Sequence, residues 1–100
     1  MRLPIVPPEC EQSYHMFYVI MPSFQTRQAL ISHLAGFGIL AVFHYLPLHV
    51  SPMGLRFGGR QVDCPVTEDL SDRLLRFPFF TGMSSTEQSH VIAAVRGFRC

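Results

Sequence analysis

The stretch Ala41-Val42-Phe43-His44-Tyr45-Leu46-Pro47-Leu48-His49 changes character halfway along. Its first half is β-branched and aromatic, a composition that suits a pleated, half-buried surface. Its second half holds two imidazoles and a phenol. Pro47, and Pro52 beyond it, lack the backbone N–H that a continuing ladder needs. The pattern predicts a buried strand over Ile39 to Tyr45 that delivers polar side chains to a sheet edge. The residues before it read as the unit that builds the strand, and those after it as the unit that packs over it.

Working upstream, Tyr14 to Met21 is aromatic and β-branched and is closed by Pro22, which predicts a buried first strand. Ser23 can accept a hydrogen bond from a first-turn N–H, so a helix is expected from Phe24 to Ala35. Leu30, Ile31 and Leu34 form its apolar stripe, with Phe37 following, and Gly36 and Gly38 supply left-handed positions that end it. His33, beside the stripe, reads as a packing or solvent-edge residue. Residues 1 to 13 contain three prolines and read as an extended lead-in or linker.

Downstream, Ser51 to Arg60 is glycine-rich and is expected to form one helical turn at Pro52 to Leu55 and otherwise a flexible connector. Its glycines beside Arg56 and Arg60 could cradle a phosphate, but no P-loop or dinucleotide spacing is present. Thr67 offers a second cap, with Glu68 and Asp69 in the first turn, Leu70, Leu74 and Leu75 inward, and Asp72 and Arg73 outward. Arg76 to Phe80 reads as a short strand, at an edge because of Pro78. Ser84-Ser85-Thr86-Glu87 is a capping box, and the helix it opens turns Val91, Ile92 and Val95 inward and ends at Gly97. His90 on that helix reads as a surface residue. The order predicts an α+β two-layer domain over residues 14 to 100, with helices on one face of a small, mainly antiparallel or mixed sheet.

Composition narrows the function. One hundred residues make one domain with a single core. Charged residues are 15% and apolar residues 48%, short of the solvated surface of an ordinary soluble domain. No run is long enough to span a membrane, so the deficit implies an apolar face that meets protein, either a second copy or a separate domain. A net charge of +1 from scattered residues excludes a nucleic-acid footprint. All eight basic residues are arginine, and a chain without lysine has no amine for a Schiff base to pyridoxal phosphate. Cys10, Cys64 and Cys100, odd in number and far apart, read as reduced incidental thiols. No two of the five histidines stand at i, i+4, which disfavours a metal site. The three N-terminal prolines break any signal-peptide core, and a cytoplasmic location is expected.

Three blocks carry a resemblance: His15-Met16-Phe17-Tyr18-Val19-Ile20, then Ala41 to His49, then Arg73-Leu74-Leu75-Arg76-Phe77-Pro78-Phe79-Phe80 with Met83-Ser84 and the last helix. Over about residues 14 to 96 the chain resembles the C-terminal small domain of the DegT-type sugar-nucleotide aminotransferases, fold-type I enzymes that use pyridoxal phosphate. The resemblance implies that the cofactor lysine lies in a large domain absent from these residues, and that the small domain is a lid over the active site. His44 and Tyr45 would then contact substrate, and His49 would contact it or brace the loop. No catalytic residue is assigned within the chain. Transaminase activity by these residues alone is not expected. A piece of a split enzyme, or a binding module for a small molecule or protein that reuses the loop, are the alternative readings.

Overall fold

The sheet assembles around a strand that pairs on both edges. Strands β1 (Tyr18–Ile20) and β2 (Leu74–Arg76) run antiparallel with Tyr18 opposite Arg76, Val19 opposite Leu75 and Ile20 opposite Leu74. On the other edge of β2, the Val42 N–H donates to the Arg76 carbonyl at 3.1 Å and the Arg76 N–H donates to the Val42 carbonyl at 2.7 Å. The outer edge of β1 is met by Arg2, whose N–H and carbonyl bond Ile20 at 2.8 and 2.9 Å. The spatial order is therefore Arg2, β1, β2, Val42, antiparallel throughout. The fold is α+β. This computed structural model describes residues 1 to 99, and Cys100 lies outside the described residues.

The expected strand over Ile39 to Tyr45 is thus reduced to one bridge, for a reason visible in the ladder. From Val42 and Arg76, the next pairs that would exchange hydrogen bonds are Leu40 with Pro78 and His44 with Leu74. Pro78 has no N–H to give. The Leu74 N–H is already spent on the Leu70 carbonyl at the end of a helix. Pairing therefore stops on both sides. At the sheet's other margin, residues 1 to 13, expected as a loose lead-in, are joined to β1 through Arg2, although nearly all of them stay exposed.

Helix α1 (Phe24–Gly36) begins as expected, with the Ser23 hydroxyl accepting the Thr26 N–H. Gly36 stays helical, and the left-handed residue that turns the chain out is Gly38, at φ 70°. Helix α2 (Pro52–Arg56) follows a 3-10 turn at Leu48–Val50. Helix α3 (Pro65–Arg73) starts before the expected cap at Thr67, because Pro65 presets the first helical φ and has no N–H to leave unpaired. It also ends earlier than expected. Leu74 and Leu75 leave the helix to enter β2, so the strand expected at Arg76 to Phe80 sits upstream at Leu74–Arg76. Sheet pairing outweighs local helix propensity there. Arg73 is not a free surface charge either: it bonds Asp69 and reaches the Met21 carbonyl. Helix α4 (Ser85–Gly97) opens on the full capping box, Ser84 and Glu87 each satisfying the other's backbone N–H.

Val19 and Leu75, opposite each other, share one face of the pleat. On that face they meet Leu30 and Leu34 of α1, Ile39, Ala41, and Ala94 of α4 to form the core. Ile31, Val91 and Val95 pack at its margin, while Phe37 and Ile92, expected inward, are 51% and 45% exposed. A charged residue joins this layer. Arg27 of α1 is 5% exposed and donates from Nη1 to the Ser71 carbonyl at 2.7 Å, in the last turn of α3 where helix carbonyls lack partners. Its guanidinium lies 4.8 Å from the Phe24 ring centre and 5.5 Å from that of Phe43. Burial draws its pKa down, with Asp72 opposing. One side chain thus ties α1, α3 and the Val42 stretch together.

Phe57 to Arg60, the end of the stretch expected to be a flexible connector, and the residues that follow it up to α3 are held. Arg60 bonds Asp63 through its N–H at 2.8 Å and its guanidinium at 3.3 Å. Glu68 accepts the Val62 N–H at 2.7 Å and the His49 Nε2–H at 2.8 Å. Gly54 and Gly59 let this turn close on the 3-10 segment, since a Cβ on either would strike the His49 backbone. The His49 bond is the main reason the Glu68 carboxyl sits below the usual carboxylate range, with desolvation opposing and Val62 assisting. A depressed folded-state pKa stabilises the fold above the unfolded value, about 4.3, and that contribution is lost as pH falls through the folded value.

Truncating the fully buried Leu75 to alanine is expected to cost about 2–5 kcal/mol in urea unfolding, and Ser84→Ala about 1 kcal/mol. Equal, small costs for the two would contradict a core centred on Leu75. In pH-dependent unfolding, wild type should exceed Glu68→Gln in stability at neutral pH and lose that margin below roughly pH 4.3. A margin that widened with acid would show that Glu68 is not braced as an anion.

Candidate functional site

The bridge at Val42 aims the loop. Residues directly opposite in an antiparallel pair share a face, so Val42 and Arg76 point the same way, and His44, two residues on, starts toward that face as well. The Arg76 Nη1 donates to His44 Nδ1 at 3.3 Å. Phe43, between them in sequence, is steadied by Arg27. The half-buried His44 is thereby fixed at the sheet edge from two sides.

Tyr45 then leaves the strand in a left-handed conformation, φ 59°, which costs a non-glycine residue about 1–3 kcal/mol. That turn brings its ring against the His44 imidazole, with ring centres 4.6 Å apart and planes at 48°. Tyr45 is 70% exposed, so its phenol is available to solvent. Pro47 opens the 3-10 turn, where His49 turns toward α3 and commits its Nε2 to Glu68, leaving its side chain 15% exposed. The three expected site residues therefore divide. His44 and Tyr45 stand together with Arg76, and His49 serves the loop's attachment in this structure.

Arg76 is not legible as a site residue from sequence, because its approach to His44 depends on the register with Val42. Glu68 reads there only as a helix-dipole charge. A shallow apolar groove lined by Leu3, Pro4, Ile5, Tyr18, Ile20 and Leu74 lies on the opposite sheet face from the core. His33 and His90 pair instead with the Ala94 and Phe37 carbonyls, both at 3.0 Å, and clasp α1 to α4. Cys10 and Cys64 are exposed and unpaired. Among the described residues, no group of three or more His, Cys, Asp or Glu is placed to hold a metal ion, and no helix is long and apolar enough to cross a membrane. What the His44, Tyr45 and Arg76 group offers is hydrogen bonding and positive charge at an accessible edge, the means to bind a polar or anionic ligand.

Known proteins share this fold over nearly all of the chain. The chain is 27% identical over 97 residues to a "pleiotropic regulatory protein" of Geobacillus stearothermophilus, covering 96% of this chain and 26% of that protein. Among solved structures, DesV of S. venezuelae superposes with a TM-score of 0.84 at 29% identity, over 95% of this chain and 25% of its own. The aminotransferase TlmJ of Streptoalloteichus hindustanus gives 0.79 at 27% identity, over 93% and 24%. The chain thus spans about a quarter of the length of each of these relatives. Residues 2–96 match one family across nearly all the elements described above, including the Arg2 bridge, and by that match the chain belongs to the DegT/DnrJ/EryC1/StrS aminotransferase family.

Proposed function

We propose that these residues form the small-domain side of an aminotransferase cleft, a lid whose edge presents His44 and Tyr45 to a nucleotide-sugar substrate. The observation that carries the reading is the His44 and Tyr45 pair, in tilted ring contact at the sheet edge beside the Arg76 guanidinium. His49 braces the loop through Glu68. Free thiols at Cys10 and Cys64 accord with work in the reducing cytoplasm.

The family implies pyridoxal phosphate, which forms a Schiff base with a lysine amine. These hundred residues contain no lysine and do not fit the cofactor as its anchor. No step of its chemistry is assigned to them, and the chain alone is expected to be inactive in transamination. The anchor belongs to a large domain that this one covers, supplied by other residues of the same protein or by a separate chain. Leu40, Leu48 and Phe57 are 79%, 84% and 84% exposed, apolar area that such a domain or a second copy would cover. A second reading, a binding module without catalysis, draws on the regulatory description carried by the Geobacillus relative.

Titrating UDP-glucose into the protein should shift the His44 ring and Tyr45 signals in NMR spectra while leaving those of His33 and His90 in place. Unmoved His44 and Tyr45 signals would sink both readings of the loop. Adding a lysine-bearing large domain of the family together with pyridoxal phosphate separates the two readings, since only a lid restores transaminase turnover. In light scattering at high concentration the protein alone should exceed its 11.4 kDa monomer mass. A clean monomer there would count against an apolar face in need of cover.

A further inference from the structure

The histidines of this chain use their nitrogens differently. His33, His49 and His90 each commit Nε2 to a protein acceptor: the Ala94 carbonyl, the Glu68 carboxylate and the Phe37 carbonyl. His15 meets the Ser13 hydroxyl, which can donate or accept. That contact, like the one His44 makes, is through Nδ1, but only the Nδ1 of His44 meets a guanidinium, at 3.3 Å.

Arginine carries five N–H donors and no acceptor. Its contact with Nδ1 is a hydrogen bond only when Nδ1 offers a lone pair, and the ring proton must then sit on Nε2. We infer that Arg76 is a positioning residue that fixes His44 as the Nε2–H tautomer, so that the imidazole meets its ligand as a hydrogen-bond donor. Three observations make this a built arrangement. The Arg76 backbone is pinned on both sides, to Tyr18 through the ladder and to Val42 through two hydrogen bonds. The guanidinium has no carboxylate within ion-pair distance among the described residues, unlike those of Arg60 and Arg73. Nothing among the described residues accepts from His44 Nε2.

The inference rests on the reading that this loop faces a ligand, and it sharpens the chemistry of that ligand. A donor beside a cation selects an oxygen that accepts, and an anionic oxygen above a neutral one. A phosphate oxygen of a nucleotide sugar meets both conditions. A group that can only donate, such as an ammonium, is rejected. Tyr45 lies against the same ring at a tilt of 48°.

The test is the tautomer itself, read without ligand from the two-bond nitrogen–proton correlation pattern of the 15N-labelled histidine rings at about pH 8, above the ordinary imidazole range. Wild type is expected to show His44 purely as Nε2–H. Arg76→Lys, which keeps a donor without an acceptor, should retain that pattern, and Arg76→Met should lose it, with an Nδ1–H population appearing. Because the Val42 pairing runs through main-chain atoms, the backbone amide spectrum of R76M reports whether the sheet stands. An Nδ1–H pattern in wild type, or an unchanged pure Nε2–H pattern in a folded R76M, overturns the inference. UDP-glucose is then added as a separate arm. A correct tautomer without a ligand shift leaves the positioning role standing and removes the nucleotide-sugar reading of the loop, so the two failures are distinct.

Discussion

Two main-chain hydrogen bonds between Val42 and Arg76 decide where the loop from His44 to His49 goes. Each is worth about 1 kcal/mol net, too little to hold a loop by itself. They are effective because the strand on one side is locked into the core at Leu75 and the stretch on the other is locked at Ala41, both nearly without solvent contact. Burial supplies the stability, and the hydrogen bonds supply the register. Once Val42 and Arg76 are opposite, the pleat places His44 and the Arg76 side chain on one face, and the contact between them needs no further device.

Arg27 shows how a charge can serve inside such a layer. Leaving a guanidinium buried is costly unless its donors find partners; here Nη1 finds the Ser71 carbonyl at the end of α3 and two aromatic faces lie beside the cation, while Nε is left without a partner. In return the side chain connects three elements, α1, α3 and the Val42 stretch. The same logic recurs at Glu68, which gathers the 3-10 turn and the preceding connector onto α3. Polar hubs of this kind let a thin layer keep its shape where the hydrophobic core is confined to a single small cluster.

Local signals in the sequence are accurate where a local cause decides the outcome. The Ser23 cap, the Ser84 to Glu87 capping box and the apolar pair Leu30 and Leu34 all stand as read, because a cap or a helix face depends on residues a turn apart. The misreadings fall where distant residues decide. Leu74 and Leu75 carry a helical pattern, but pairing with β1 draws them into a strand. Ile39 to Tyr45 carries a strand pattern, but Pro78 and the commitment of Leu74 to α3 leave it one bridge. The glycine-rich connector looks loose because the acid that holds it, Glu68, lies beyond it in the chain. At the site, His44, Tyr45 and His49 are visible as polar residues at the end of an apolar run. Their division into an open pair and a brace is not, since it rests on a left-handed Tyr45 and on partners supplied from α3 and β2.

The central place of β2 also bears on how the chain comes together. The two stretches that flank it in the sheet, at Tyr18–Ile20 and at Val42, are both made earlier during synthesis from the N-terminus. Neither can complete its pairing until Leu74–Arg76 has emerged. Until then the growing chain carries two apolar segments with open strand edges, separated by a helix whose start is set by a local cap. Non-local closure of this kind is slow and exposes sticky surface while it waits. The last strand to appear is thus the one that ends the period of greatest risk of misassociation, which ties successful folding to prompt completion of the α3 to β2 turn.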